Sequence, residues 1–153
     1  MDSHSRKQKE WDEQSLSTAD PSAQVCRPMD PESVGVLVED IRAKLKLRPG
    51  LGAILDVGCG NGLLLEQLAG DFQTLAGVDY SADMVKHARE RLEGRFEQGE
   101  AAKLSFADHS FDRVLGYSIF LYFPSEDYAL EAVREMGRVL APGGVAVIGD
   151  LLD

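Results

Sequence analysis

The chain has 153 residues, 44% of them apolar, and a formal charge of −10 from 26 acidic against 16 basic residues. That length suits one domain with a real hydrophobic core, and no apolar run approaches the roughly 18 residues a membrane span needs. The acidic balance repels phosphate backbones, so nucleic acid is a disfavoured partner.

The polar start, MDSHSRKQKEWDEQS, holds no signal-peptide core, which makes a cytoplasmic protein the default expectation. Residues 1–29 lack a sustained period and are expected to form a mobile or loosely packed extension. Arg6-Lys7-Gln8-Lys9 reads there as a solvated terminus, and Trp11 as an indole that needs a surface to lie against. Cys26 and Cys59 stand far apart without a CxxC pair, so reduced thiols are expected and no metal site or disulfide framework.

The folded domain is expected over 30–153. Asp30 is placed as an N-cap with Pro31 at the first helical position, and Val34, Leu37, Val38, Ile41 and Leu45 follow at helical spacing. Arg48-Pro49-Gly50 ends that helix. Strand and helix patterns then alternate: a strand at 53–57, a helix at 61–70 closed by Gly70, a strand at 73–79. A helix at 81–94, capped by Ser81 and ended by Gly94, leads to a brief strand at 95–99. A strand at 111–118, a helix at 125–140 and a strand at 143–150 complete the series. The alternation predicts an α/β, Rossmann-like doubly wound parallel sheet in the order 3-2-1-4-5, with helices on both faces.

The segment LDVGCGNG, 55–62, sets Gly58, Gly60 and Gly62 directly after the first strand, where ligands of such sheets bind. Glycine permits backbone angles closed to other residues and lets a ligand approach the chain. The spacing G-x-G-x-G differs from the dinucleotide fingerprint G-x-G-x-x-G, and Leu63 stands where the third glycine would fall. The Lys-Ser or Lys-Thr pair of a phosphate loop is absent. Asp56 beside the turn is a poor neighbour for a pyrophosphate and a good one for a cation. Asp79 ends the second strand, where a carboxylate accepts both hydroxyls of a ribose. A ribose with a cationic amine and no phosphate describes S-adenosylmethionine.

ILDVGCGNG, then GVDYSADMV, GEAAKLSFADHSFDRV and RVLAPGGVAVI together resemble the class I S-adenosylmethionine-dependent methyltransferases, in particular the small-molecule branch that includes quinone-biosynthesis C-methyltransferases. The resemblance covers about 30–153. It implies that Gly58, Cys59, Gly60 and Gly62 pack against the methionine part of the cofactor, with Asp56 near its amino group and Asp79 on the ribose. Tyr80 and Met84 would flank the adenine, although Met84 also reads as plain core on its helix face. Glu100 stands where the family commonly has Asp and would accept from the adenine amine, with the Ala101 backbone beside it. Tyr117 and Ser118 would face the sulfonium and the acceptor.

Methyl transfer is an in-line displacement that needs positioning more than a protein nucleophile. No catalytic residue is singled out. His4 lies in the extension, His87 on a charged helix and His109 in a polar turn, while Tyr117 and Tyr122 serve equally as wall. The Asn-Pro-Pro-Tyr of amino-group methyltransferases and the Pro-Cys of cytosine C5 enzymes are absent. Ile119, Phe120, Leu121, Tyr122 and Phe123 form an apolar stretch fit to line an apolar acceptor pocket or to pack a helix on the sheet. The family continues past the fifth strand with a helix and two strands, a C-terminal β-hairpin that this sequence lacks. The expectation is therefore a fragment, or an open edge covered by a partner, a two-fold homodimer being the simplest closure. Two functions remain open here: methyl transfer to a small, apolar acceptor, or a non-catalytic S-adenosylmethionine-binding subunit.

Overall fold

Short β-rich runs with apolar residues on both faces must be covered on both sides, and here they pair into one sheet. The structure, a computed structural model, describes residues 5, 6, 9, 10, 13 and 30–151. Residues 5, 6, 9, 10 and 13 are helical and exposed; His4, Trp11 and Cys26 of the expected extension lie outside the described residues. The element order is α1 (Pro31–Lys44), β1 (Leu51–Val57), α2 (Leu63–Leu68), β2 (Phe72–Asp79), α3 (Ala82–Arg91), β3 (Arg95–Gln98), β4 (Phe111–Tyr117), α4 (Glu126–Val139) and β5 (Leu140–Gly149).

The strands form a five-stranded sheet in the order β3-β2-β1-β4-β5, every pairing parallel. The expected 3-2-1-4-5 order is observed. Strand alternation sends Ile54 and Leu115 to one face, where Val38 and Ile41 of α1, Leu65 and Leu68 of α2, and Val85 and Ala88 of α3 cover them. Leu55, Val57, Ala76, Val78 and Val114 go to the other face, under Met136 and Val139 of α4 and the loop residues Leu104 and Phe106. Helices thus lie on both faces. Among the described residues no helix is long and apolar enough to cross a membrane.

Helix starts follow the local chemistry. Asp30 accepts the Ser33 N–H at 2.9 Å, with Pro31 opening α1. Ser81 Oγ caps α3 by accepting the Met84 N–H at 3.3 Å, and Ser125 Oγ caps α4 by accepting the Tyr128 N–H at 3.1 Å. The far end of α1 is held by a side chain the sequence does not advertise: buried Arg113 of β4 donates from Nε to the Leu45 carbonyl at 2.6 Å. That bond satisfies a carbonyl left without an intrahelical partner.

Several boundaries differ from expectation: β1 starts at Leu51 rather than 53, α3 ends at Arg91 rather than near Gly94, and two further shifts have a clear cause. The helix expected over 61–70 shortens to α2 and a 3-10 turn at Ala69–Asp71, because residues up to Gly62 are taken by the turn out of β1. The last strand begins at Leu140, earlier than expected: Leu140 pairs with Phe111, the Pro-Gly-Gly stretch bulges out, and pairing resumes between Arg113 and Val145. Strands β3 and β5 each have one neighbouring strand among the described residues.

Candidate functional site

The carboxyl ends of β1, β2 and β4 converge on the glycine loop. Alternation puts Asp56, two residues on from Ile54, on the face covered by α1, α2 and α3. Asp79, next to Val78 of the opposite face, emerges on the same side, as does Tyr117, two residues beyond Leu115. Asp56 stands in register with Gly77 of β2 and Leu115 of β4.

Gly58, Gly60 and Gly62 all hold left-handed φ values, 78°, 53° and 81°. At Gly58 the need is for packing as well as angle, since an added Cβ would collide with the Ile119 side chain. At Gly60 an added Cβ would meet no atom within 4 Å. That side of the loop is open, and a side chain there would fill the space a ligand needs.

The loop amides are spent inside the fold. Gly58 and Cys59 N–H both donate to the Val78 carbonyl, at 2.7 and 3.0 Å, and Gly62 N–H donates to the Cys59 carbonyl at 3.0 Å. Gly60 N–H donates to Asp79 Oδ2 at 2.9 Å, and Leu63 N–H to Asn61 Oδ1 at 3.1 Å. Arg91 reaches the loop from α3, yet its guanidinium serves the Asn61 carbonyl and the Glu66 carboxylate. A phosphate relies on free amides at such a turn, and these five are committed elsewhere.

Electrostatics point the same way. Asp56 is 3% exposed, and burial, followed by the neighbouring Asp79 charge, pushes its carboxyl up to about 8. Burial first, then Asp79 and Asp56, hold the Cys59 thiol well above its ordinary range, so it is not a ready nucleophile. A cation brought between these groups relieves the repulsion and returns Asp56 to its ionised form. Asp79 is fixed by a second bond, accepting the Ser81 N–H at 2.9 Å through Oδ1. Its carboxylate therefore joins the glycine loop to the start of α3.

The other expected site residues gather along the same edge. Tyr80 follows Asp79, half-buried, its carbonyl accepting from Gln98 Nε2 at 3.0 Å. Gly99 N–H donates to the Asp79 carbonyl at 2.9 Å, which brings Glu100 and half-buried Ala101 beside this pair. Glu100 Oε2 accepts the Tyr128 hydroxyl at 2.9 Å. Met84 is 1% exposed, packed as core with little surface to offer a ligand. The Tyr117 ring lies over Gly149 of β5. Ser118 ties the ends of β4 and β5 together, its N–H donating to the Gly149 carbonyl and its hydroxyl to the Asp150 carboxylate.

Beyond Ser118 the chain makes a 3-10 turn at Phe120–Tyr122. Phe120 and Phe123 pack with tilted rings, centroids 4.8 Å apart, and Phe123 meets Tyr128 at 4.9 Å in the same way, a half-buried aromatic row beside the loop. The histidines stand elsewhere: His109 precedes β4, at the opposite end of the sheet, and His87 pairs with Glu90 on α3. Among the described residues no group of three or more His, Cys, Asp or Glu is arranged to hold a metal. Two contacts escape sequence reasoning. Ile119 on Gly58 lies next to residues the motifs mark, whereas Tyr128 on Glu100 spans 28 positions and carries no local signal.

Comparison with known proteins places the chain among methyltransferases by sequence and by fold. The family model described as a methyltransferase domain matches residues 54–144. Methyltransferase GfsG of Streptomyces halstedii is 34% identical over 138 residues, covering 80% of this chain and 48% of the relative. Demethylmenaquinone methyltransferase of Desulfitobacterium hafniense is 34% identical over 118 residues, 70% of this chain and 45% of its own. The SAM-bound structure of CalS10, an amino pentose methyltransferase from Micromonospora echinaspora, aligns with a TM-score of 0.64 and 32% identity, over 76% of this chain and 49% of that one. The chain spans about half the length of the curated relatives it matches. On the family match and the identity to methyltransferase relatives, this chain belongs to the methyltransferase-domain family, in the class I S-adenosylmethionine-dependent group.

Proposed function

We propose that this chain transfers a methyl group from S-adenosylmethionine to a small, apolar acceptor. The observation that carries the reading is the glycine loop with committed amides and an open side next to two buried carboxylates. A pyrophosphate finds few donors there, and a cationic amine finds its counter-charge.

The residues fit the cofactor. Asp56 would hold its amino group, with Cys59 and Gly62 shaping the loop and Gly60 leaving room for the methionine part. Asp79, pinned by the Gly60 and Ser81 amides, would accept from the ribose hydroxyls. Tyr80, Glu100 and Ala101 would address the adenine, with Met84 as buried support behind them. Bound there, S-adenosylmethionine supplies an electrophilic methyl on a sulfonium. Tyr117 and Ser118, at the end of β4, would wall the reacting centre, and Ile119 to Phe123 would exclude water and take up an apolar acceptor. Alignment of acceptor and methyl then carries much of the rate. The relative named for demethylmenaquinone supports an apolar, ring-containing acceptor. We further infer a homodimer through the outer edge of β5, where Val145, Val147 and Ile148 favour strand pairing.

The test is direct. Titration should show binding of S-adenosylhomocysteine and none of NAD. Labelled S-adenosylmethionine, incubated with the chain and a panel of quinols, fatty acids and amino sugars, should pass its label to an apolar member. Binding with no transfer to any acceptor would leave a cofactor-binding subunit.

A further inference from the structure

The bond between Tyr128 and Glu100 has no role in the scheme above, and its surroundings show what it does. Glu100 is exposed, and a free glutamate of this kind samples many rotamers. Its carboxylate nevertheless accepts a hydroxyl from α4 at 2.9 Å. Tyr128 is itself fixed three ways. Ser125 Oγ accepts its backbone N–H at 3.1 Å, which sets it in the first turn of α4. Its ring packs on Phe123 at 4.9 Å, tilted by 58°. The backbone amides of Ala102 and Ala101 address its hydroxyl. Burial, followed by Glu100, keeps that hydroxyl protonated well above its ordinary range, so it stays a donor.

We infer that Tyr128 is a positioning residue, whose hydroxyl holds the Glu100 carboxylate in the pose that accepts from the exocyclic amine of adenine and so sets the preference for adenine over a base lacking that amine. The inference rests on the proposal that Glu100 addresses the adenine. A longer acid where the family commonly has Asp has more freedom to lose on binding, and a pre-formed tether removes that loss beforehand. One carboxylate oxygen is engaged by Tyr128, and an ionised carboxylate carries lone pairs on both oxygens, more than one hydroxyl uses.

The experiment compares S-adenosylhomocysteine with S-inosylhomocysteine, which carries a carbonyl in place of the amine, by titration calorimetry. The proteins are the wild type, Tyr128→Phe, Glu100→Gln and the double variant. The wild type should prefer the amine ligand. Tyr128→Phe keeps the ring on Phe123 and should weaken S-adenosylhomocysteine by roughly fivefold, the worth of one hydrogen bond, while leaving S-inosylhomocysteine nearly unchanged. The double variant should lose no more preference than Glu100→Gln alone. Thermal unfolding checks that each variant is folded, and Tyr128→Met, which also lacks the hydroxyl, should repeat the loss if Tyr128→Phe does not fold. Equal weakening of both ligands, or of neither, overturns the positioning role and leaves Tyr128 as packing. An unchanged ligand ratio in Glu100→Gln instead overturns the adenine reading of Glu100, and the inference with it.

Discussion

Replacing Asp56 by Asn keeps the side-chain shape and removes the charge that burial and Asp79 oppose. In the native chain burial and the Asp79 charge push the carboxyl from its ordinary 3.8 up to about 8. Between those values the folded state holds a proton that the unfolded chain has released, so stability falls as pH rises. The contribution is fully present below about pH 4 and is lost as pH climbs through about 8. Each pH unit inside the window corresponds to about 1.4 kcal/mol. The step from pH 6 to 8 should therefore remove about 2 kcal/mol, the slope flattening as the carboxyl ionises. Asn at 56 does not titrate, so Asp56→Asn should lack this loss and be the more stable protein at pH 8. Urea unfolding of both ligand-free proteins at pH 6, 7 and 8 measures the difference. Parallel pH profiles would refute the reasoning. Cofactor binding should show the mirror image: native affinity for S-adenosylhomocysteine should rise between pH 6 and 7.5, by up to about tenfold per unit, and the variant should bind weakly without that rise.

Asp79→Ala removes the acceptor for the Gly60 and Ser81 amides; bonds to a charged group are worth about 1.5–3 kcal/mol, so calorimetry should show at least about a tenfold loss of cofactor affinity, and unchanged affinity would contradict the site. Gly58→Ala and Gly60→Ala should separate packing from binding. The first drives a methyl into Ile119 at a left-handed φ, costs about 2 kcal/mol or more and should be partly rescued by Ile119→Ala. The second meets no atom within 4 Å, costs about 1–2 kcal/mol in backbone strain and should fold but fail to bind cofactor. Light scattering over a range of concentrations should show a dimer if two copies pair through β5, and a monomer throughout would remove that interface.

The fold was largely legible because local signals and tertiary demand agree. β1 reads as a short apolar run ending in glycines, and it is the central strand, with Ile54 and Leu55 buried on opposite faces. Asp30, Ser81 and Pro31 mark helix starts by their own chemistry. What stayed hidden needed a partner distant in sequence. The pairing of Leu140 with Phe111 ahead of a Pro-Gly-Gly bulge depends on the neighbouring strand rather than on the strand's own residues. Arg113 capping α1 joins positions 68 residues apart. Met84 sits on the helix face that the sequence offers equally to core and to ligand, and the fold buries it in the core.

The site shows the same division more sharply. Glycine spacing says that the backbone comes close to something, and it does not say whether the loop presents donors. That property is decided by Val78, whose carbonyl takes two amides, and by Asp79, which takes a third. Both residues lie on β2, some twenty positions beyond the loop, so the donors the loop leaves free are set by the second strand as much as by the motif itself. The consequence reaches Asp56. With those amides committed elsewhere, burial and then the Asp79 charge push the carboxyl up to about 8 in the ligand-free chain. On the proposed reading, a cationic ligand would complete the electrostatics of the pocket, and the stability cost of Asp56 and its part in binding would then follow from one arrangement of atoms.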